Sequence, residues 1–289
     1  MSRLKAYIQL GFLFFILTLP LSLLGKDGNY RPSPFVLITV PKSGSHMILK
    51  ALYLITGTTA LWHADFIPLN LSDQQFLYTH FCVPSALEEG YAQIPRLKTI
   101  INIRDLRDVC ISMVYHIRAS LWPGMSAEQR EVFKTLSFDE QLLFVINYDY
   151  DVDEVAEFAP HSLQVSMVKI AEQLERYCQK SDYLICKYEN LVGPKGGGNQ
   201  EAQIKEIKRI ANHLDLNLSE FLLEQIASKL YGNEFDPFGK KGFEDFASTF
   251  RQGRIHAWKQ VFKEQHIRAF KRKMNKALIA LGYETKEDW

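Results

Sequence analysis

Charge of one sign is what this sequence most plainly lacks. Its 34 lysines and arginines are offset by 33 aspartates and glutamates, giving a formal net charge of +1. A chain so balanced has no global attraction for nucleic acid or for an anionic membrane surface, so any anion site must be local. Cysteine is scarce too. Cys82, Cys110, Cys178 and Cys186 show no metal-ligand spacing. Cys110 and Cys186 sit in apolar segments and are expected as buried free thiols rather than a disulfide. No internal repeat is present. What the chain does have is core material. A hydrophobic content of 47% over 289 residues argues against disorder and supports one large α/β domain or two small ones.

The N-terminus differs in composition from the rest. Arg3 and Lys5 precede an uncharged, mostly apolar run from Ala6 to Gly25, which is about the length that spans a bilayer. Ser22 to Gly25 makes a poor small-residue cleavage site, so an uncleaved signal-anchor is favoured over a signal peptide. The basic flank then stays cytoplasmic and the rest lies on the far side, lumenal in a eukaryote. A cytoplasmic protein is the alternative. Residues 1–25 are thus read as the signal segment, 26–34 as a polar linker and 35–289 as the folded domain. Asn70-Leu71-Ser72 and Asn217-Leu218-Ser219 are glycosylation-type triplets.

Strand and helix signals alternate along the domain. Apolar or β-branched runs at Phe35–Val40, Gln75–His80, Lys98–Ile103 and Tyr183–Tyr188 read as strands, with a further short one within Gly57–His63. Helices are expected over Met47–Ile55, Leu106–Arg118, Phe138–Ile146, Ser162–Gln179, Gln200–His213, Ser219–Leu230 and from Ile255 through Lys263 to Leu281. Gly193–Gly198 reads as a flexible loop and Tyr231–Ser248 as a loop or lid. This alternation predicts a parallel central sheet with helices on both faces, whose ligands bind at the carboxyl ends of the strands. Three of those ends carry polar residues: Lys42, His80 and Arg104.

The segment Val40-Pro41-Lys42-Ser43-Gly44-Ser45-His46 joins the first strand to the first helix. Loop amides and a helix start aimed at one point make a phosphate cradle, and a lysine adds charge. The lysine precedes the glycine, which is not the order of the common nucleotide-triphosphatase loop. The segment resembles the 5′-phosphosulfate loop of the sulfotransferases. Arg104-Asp105-Leu106-Arg107-Asp108-Val109-Cys110-Ile111-Ser112 is similar to that family's 3′-phosphate segment, with Arg104 and Ser112 as the matching pair. Eight residues are two helical turns, so both side chains can face one anion, and Asp105 is placed to cap the helix. Phe250 to Phe262 resembles the late loop that closes over the 3′-phosphate, with Arg251, Gln252 and Gly253 in the binding places and Trp258 and Phe262 as core anchors. Tyr78-Thr79-His80 is similar to the Lys-Thr-His that carries the family's catalytic base. Lys187-Tyr188-Glu189-Asn190-Leu191 resembles the segment whose tyrosine lies by adenine.

The resemblance implies a P-loop-like sulfotransferase fold over 35–289 and a donor, 3′-phosphoadenosine 5′-phosphosulfate, used without a metal. His80 would take the acceptor proton and Lys42 would stabilise the leaving oxygen, with Ser43, Gly44, Ser45 and His46 around the 5′-phosphate. An unperturbed imidazole base would give an acidic limb at about pH 6 to 7. Departures are Tyr78 for lysine, Met47 for a tryptophan that stacks on adenine, Gln252 for lysine and His256-Ala257 for Gly-Asp. Trp62, His63, Phe66, Phe81 and the Tyr148–Tyr150 region are candidate linings for a small-molecule, lipid or carbohydrate acceptor. Two other readings compete. One is a P-loop small-molecule kinase, which would need a carboxylate for its metal; the other is a non-catalytic nucleotide-binding domain.

Overall fold

The computed structural model describes residues 32–62, 75–81, 83, 85–119, 127–149, 166–231 and 253–289. Five strands form one sheet: β1 (Phe35–Thr39), β2 (Thr59–Trp62), β3 (Gln75–His80), β4 (Lys98–Ile103) and β5 (Tyr183–Lys187). Their order is β2-β3-β1-β4-β5 and every pairing is parallel. The chain adds β2 and β3 on one side of β1, then crosses to add β4 and β5 on the other. That reversal puts a crevice at the carboxyl end of β1, between β3 and β4.

Both faces of the sheet are covered, and the alternation within β1 shows it. Val36 and Ile38 face one core with Leu77, Ile101 and Ile103. Phe35 and Leu37 face the other with Phe76, Tyr78 and Ile100. Helix α1 (Ser45–Thr56) belongs to the second face. On the first face lie α3 (Leu106–Arg118), α5 (Phe138–Asn147) and α6 (Met167–Tyr177); the short α2 (Ser85–Ala92) precedes α3 and the short α4 (Ala127–Thr135) precedes α5. The chain continues through α7 (Tyr188–Leu191), α8 (Gln200–His213), α9 (Glu220–Leu230), α10 (Trp258–Val261) and α11 (Glu264–Ala280). Helices α8 and α9 complete the second core and α11 the first. Burying each large aliphatic side chain contributes about 1.5–3 kcal/mol, so β1, buried on both faces, anchors the domain.

Several expectations need correction. The C-terminal helical stretch is two helices, because the chain turns extended at Phe262 and Lys263. Gly193–Gly198 is an ordered turn containing a 3-10 helix, Pro194–Gly196, with Gly196 buried. Phe81 does not line an acceptor pocket. It is 1% exposed and packs against Tyr177 in the first core. Helices α2 and α4 were not foreseen. Cys110 and Cys186 are buried free thiols and Cys178 is a half-buried one. Among the described residues no helix is long and apolar enough to cross a membrane. The anchor expectation falls on 1–25, the lid expectation on 232–248, and His63, Phe66 and Tyr150 also lie outside the described residues.

The C-terminal tail is fastened to the sheet through Arg107. This fully buried side chain donates to Asp105 from Nε at 2.9 Å and Nη2 at 2.8 Å, and to Glu284 from Nη1 at 2.5 Å. Its guanidinium lies 3.7 Å from the Trp258 ring centroid and 4.4 Å from that of Trp289. One cation thus ties the start of α3, the start of α10 and the chain end together. Removing it would strand the buried Asp105 carboxylate. Arg107→Ala is expected to cost about 3–5 kcal/mol, read by denaturant unfolding; a loss below about 1 kcal/mol would contradict this fastening.

Candidate active site

Lys42 follows the end of β1 with a left-handed backbone, φ 67°. For a non-glycine residue that conformation costs roughly 1–2 kcal/mol. The loop is fixed by Asn102 of β4, whose Nδ2 donates to the Ser43 carbonyl at 3.2 Å and to Ser43 Oγ at 2.8 Å. The Ser43 side chain is therefore fully buried against the sheet and turned away from the crevice. Gly44, φ 84°, caps α1 without a side-chain hydrogen bond, and no acid stands in that helix's first turn. Helices α3, α5, α6, α8 and α9 are each capped by a side chain of their own: Asp105, Ser137, Ser166, Asn199 and Ser219. At α1 no side chain caps the first turn, and the Met47 amide turns back on the Gly44 carbonyl at 2.9 Å.

Tyr188 binds three of the motif segments together. A Cβ placed on Gly44 would lie 2.3 Å from Tyr188 Cδ2, so the loop packs directly on this ring. The Tyr188 hydroxyl donates to the Gly253 carbonyl at 2.8 Å, and the Arg104 guanidinium lies 4.9 Å from the ring centroid. Tyr188 is therefore a buried joint between the phosphosulfate-type loop, Arg104 and the late loop. Arg104, 8% exposed, donates from Nη2 to the Arg254 carbonyl at 2.6 Å and to Asp108 Oδ2 at 3.4 Å, while its buried Nε has no partner among the described residues. Asp108 Oδ1 in turn accepts from the Trp258 amide at 2.9 Å. Asp108 thus holds Arg104 and the late loop together. His256 in that loop is left-handed at φ 61°, which accounts for the glycine that stands there in the motif it resembles. Ser112 lies on α3, half-buried. Arg251 and Gln252 lie outside the described residues; Gly253 is positioned by Tyr188.

His80 ends β3, opposite Thr39 in the β1–β3 register. Its Nδ1 is 2.6 Å from Thr39 Oγ1 and 3.2 Å from the Thr39 carbonyl, and its Nε2 is 3.4 Å from the Tyr78 hydroxyl. Thr39 Oγ1 is also 2.9 Å from Ser45 Oγ. Burial dominates the electrostatics. It lowers the His80 pKa to about 4, with the charges of His46 and Lys42 adding to the shift. His46 and His116 are each lowered to about 4, by burial first and Lys42 second. Lys42 itself is lowered to about 8, by burial and then by the charge of Arg104. The imidazole of His80 is therefore neutral through the whole physiological range, and an acidic limb at pH 6 to 7 is not expected from it. Burial also pushes the Tyr78 phenol up to about 12, so it stays protonated.

The structure thus gathers Lys42, His46, His80 and Arg104 at the carboxyl ends of β1, β3 and β4, and adds His116 of α3, which the sequence reading did not single out. Thr39, Asn102 and Asp108 were missed as well. Such a group attracts an anion, supplies a neutral imidazole base, and holds a lysine beside it. Buried Arg104 Nε awaits an acceptor. These features fit a substrate with two anionic centres. Among the described residues no group of three or more His, Cys, Asp or Glu could hold a metal ion.

Comparison with known proteins gives a family and a fold. A family profile described as "Sulfotransferase domain" matches residues 32–282. The crystal structure of mouse sulfotransferase SULT7A1 complexed with PAP is similar, with a TM-score of 0.57 at 15% identity, over 90% of this chain and 88% of that one. No curated protein sequence matches the chain.

The packing at Gly44 gives a direct test. Gly44→Ala forces a Cβ into the Tyr188 ring at a positive φ and is expected to cost about 1–3 kcal/mol. Combining it with Tyr188→Leu should recover part of that loss in denaturant unfolding. An equal loss in both backgrounds would show that the ring is not the obstacle.

Proposed function

The chain belongs to the sulfotransferase domain family, and from that premise we propose that it transfers a sulfuryl group from 3′-phosphoadenosine 5′-phosphosulfate to a hydroxyl or amine of a small-molecule, lipid or carbohydrate acceptor. The observation that carries this reading is the pair of cations at the strand ends, half-buried Lys42 and buried Arg104. Lys42 is depressed by burial and by Arg104, and no carboxylate is among the groups that shift it. Buried charge without a counter-charge is costly unless a ligand supplies one. A donor with phosphosulfate at one end and a 3′-phosphate at the other would offset the charge of Lys42 and give the Arg104 Nε, which has no partner among the described residues, an acceptor.

The roles then follow from position. Lys42 and the first-turn amides of α1 face the 5′-phosphosulfate, with Gly44 allowing close approach and Ser45 offering a hydroxyl. Arg104 at the end of β4, with Ser112 on the helix that follows and the late loop at Gly253, holds the 3′-phosphate. Tyr188 shapes the nucleotide's side of the site as the joint beneath Gly44. The acceptor oxygen or nitrogen attacks sulfur while its proton passes to His80. The bond from sulfur to the 5′-phosphate oxygen breaks, and the electron pair stays on that oxygen, opposite the Lys42 ammonium. The mouse protein complexed with PAP supports the donor class. The basic flank before Ala6–Gly25 supports attachment by an N-terminal anchor, with the domain on the non-cytoplasmic side.

Lys42→Gly separates function from folding. Glycine relieves the left-handed strain of roughly 1–2 kcal/mol but gives back about 0.5–1 kcal/mol in unfolded-state freedom. Stability should stay within about 1 kcal/mol of wild type. Release of adenosine 3′,5′-bisphosphate from the donor, in the presence of a phenol or sugar acceptor panel, should fall by at least roughly a hundredfold. Undiminished release by Lys42→Gly, or none from wild type with any acceptor, would overturn the proposal.

A further inference from the structure

Four side chains close a ring of hydrogen bonds beneath the crevice. Ser45 Oγ is 2.9 Å from Thr39 Oγ1, Thr39 Oγ1 is 2.6 Å from His80 Nδ1, and His80 Nε2 is 3.4 Å from the Tyr78 hydroxyl. The Tyr78 hydroxyl lies within hydrogen-bonding reach of Thr39 and Ser45 in turn. Three hydroxyls and one neutral imidazole can circulate their protons in either of two directions. In one, Nδ1 carries the proton and Nε2 the lone pair; in the other the roles reverse. Hydroxyls alone would not choose between them.

A fifth atom breaks the symmetry. The Thr39 carbonyl lies 3.2 Å from His80 Nδ1, and a carbonyl only accepts. It selects the circulation in which Nδ1–H donates toward Thr39. Thr39 Oγ1, receiving from His80, then donates to Ser45, and Ser45 must donate onward. Its two outlets are Tyr78 and an anion at the loop. Tyr78 donates to Nε2, the nitrogen that a general base must offer. Residues 39 and 80 are direct neighbours in the β1–β3 register, so this arrangement is written into strand pairing and not into a loop.

We propose that Thr39 is a positioning residue for sulfuryl transfer, which fixes His80 in the Nδ1–H tautomer through its carbonyl and hydroxyl and couples that tautomer, through Ser45, to the anion held at the loop. This rests on the function proposed above. With phosphosulfate accepting from Ser45, every proton in the chain His80–Thr39–Ser45 points toward the donor. Nε2 keeps its lone pair for the acceptor, whose hydroxyl takes the place that the Tyr78 hydroxyl holds against Nε2. When Nε2 receives the acceptor proton, the imidazolium is stabilised along the same chain by the negative charge of the bisphosphate product. Tyr78, standing where the motif it resembles has a lysine, supplies a neutral donor that keeps Nε2 in register without adding charge. Of the groups that face the same imidazole, Lys42 stays charged near neutral pH while His46 and His116 are neutral there, so it is Lys42 that disfavours its protonation until that product charge forms.

The test is the tautomer itself. The full chain is labelled with 15N-histidine, and the His80 pattern is assigned by its absence in His80→Gln. Two-bond 1H–15N spectra are recorded near neutral pH with and without adenosine 3′,5′-bisphosphate. Wild type should show a protonated Nδ1 and an unprotonated Nε2, with the Nε2 resonance shifted by the nucleotide. Thr39→Val, isosteric on a β-strand, keeps the backbone carbonyl and so should keep the Nδ1–H tautomer, but without the hydroxyl link to Ser45 it should lose the nucleotide-induced Nε2 shift and at least about tenfold in kcat, within the roughly 10²–10⁴-fold that a general base supplies, with the donor KM little changed. Thr39→Ser should restore both. A protonated Nε2 in wild type overturns the proposal whether or not the variants fold, as does Thr39→Val with the wild-type nucleotide-induced shift and kcat. Failure of the nucleotide to bind at all overturns the donor reading and this coupling with it; binding that leaves the His80 resonances unmoved overturns the coupling alone.

Discussion

Lys42 and Arg104 repel one another across the carboxyl end of a buried parallel sheet, and much of the domain is arranged to hold them there. Burial lowers the lysine's pKa, and Arg104 pushes it further the same way, to about 8. The protein neutralises one cation and leaves the other. Asp108 sits against Arg104 and at the same time accepts the Trp258 amide, so the arginine is steadied by the loop it helps to place. Among the described residues no acid does this for Lys42. It is instead locked in a left-handed turn by Asn102 beneath Ser43 and by the Gly44–Tyr188 contact.

Energy spent at the site is recovered away from it. A strained lysine, a second left-handed residue at His256 and a cation without a counter-ion each cost on the order of 1–3 kcal/mol. Two apolar cores on either face of β1 and the Arg107 junction offset them. The junction matters beyond stability. Because Arg107 stacks on Trp258 and Asp108 holds the Trp258 amide, neighbouring residues at the start of α3 grip the late loop from both sides. The position of Gly253 over Tyr188 follows from that grip.

Much of the fold was legible because its signals are local. The bounds of β3, β4, α3 and α8 follow from apolar or β-branched runs, from helical periodicity and, for α3, from a capping aspartate, and all four are found where the sequence places them. Helices α2 and α4 escaped because they are short and polar, with too few apolar positions to set a period. The break before α11 escaped because Trp258, Phe262 and His266 keep helical spacing across it. The site divides the same way. Lys42, His80 and Arg104 announce themselves as polar residues ending apolar strands. Thr39, Asn102 and Asp108 do not, since each acts on a residue brought near by strand order or by a loop returning about 150 positions later. Tyr188 was visible, but its packing beneath Gly44 depends on the approach of β5 to the loop, which no local pattern encodes.

The central claim is that the cations at the strand ends, Lys42 and Arg104, are completed by an anionic donor. Binding of adenosine 3′,5′-bisphosphate should then restore the proton that burial and Arg104 make Lys42 ready to lose. The sign is fixed. The free group titrates at about 8 and the nucleotide favours its charged form, so affinity should fall as pH rises through that value and binding should take up protons above it. Calorimetry in two buffers of different ionisation enthalpy measures this directly. Uptake attributable to Lys42 should rise from near zero at about pH 7 to approach one proton at about pH 9, and should vanish in Lys42→Gly. Tight binding with no proton uptake at the higher pH, or the same uptake without the lysine, would contradict the account.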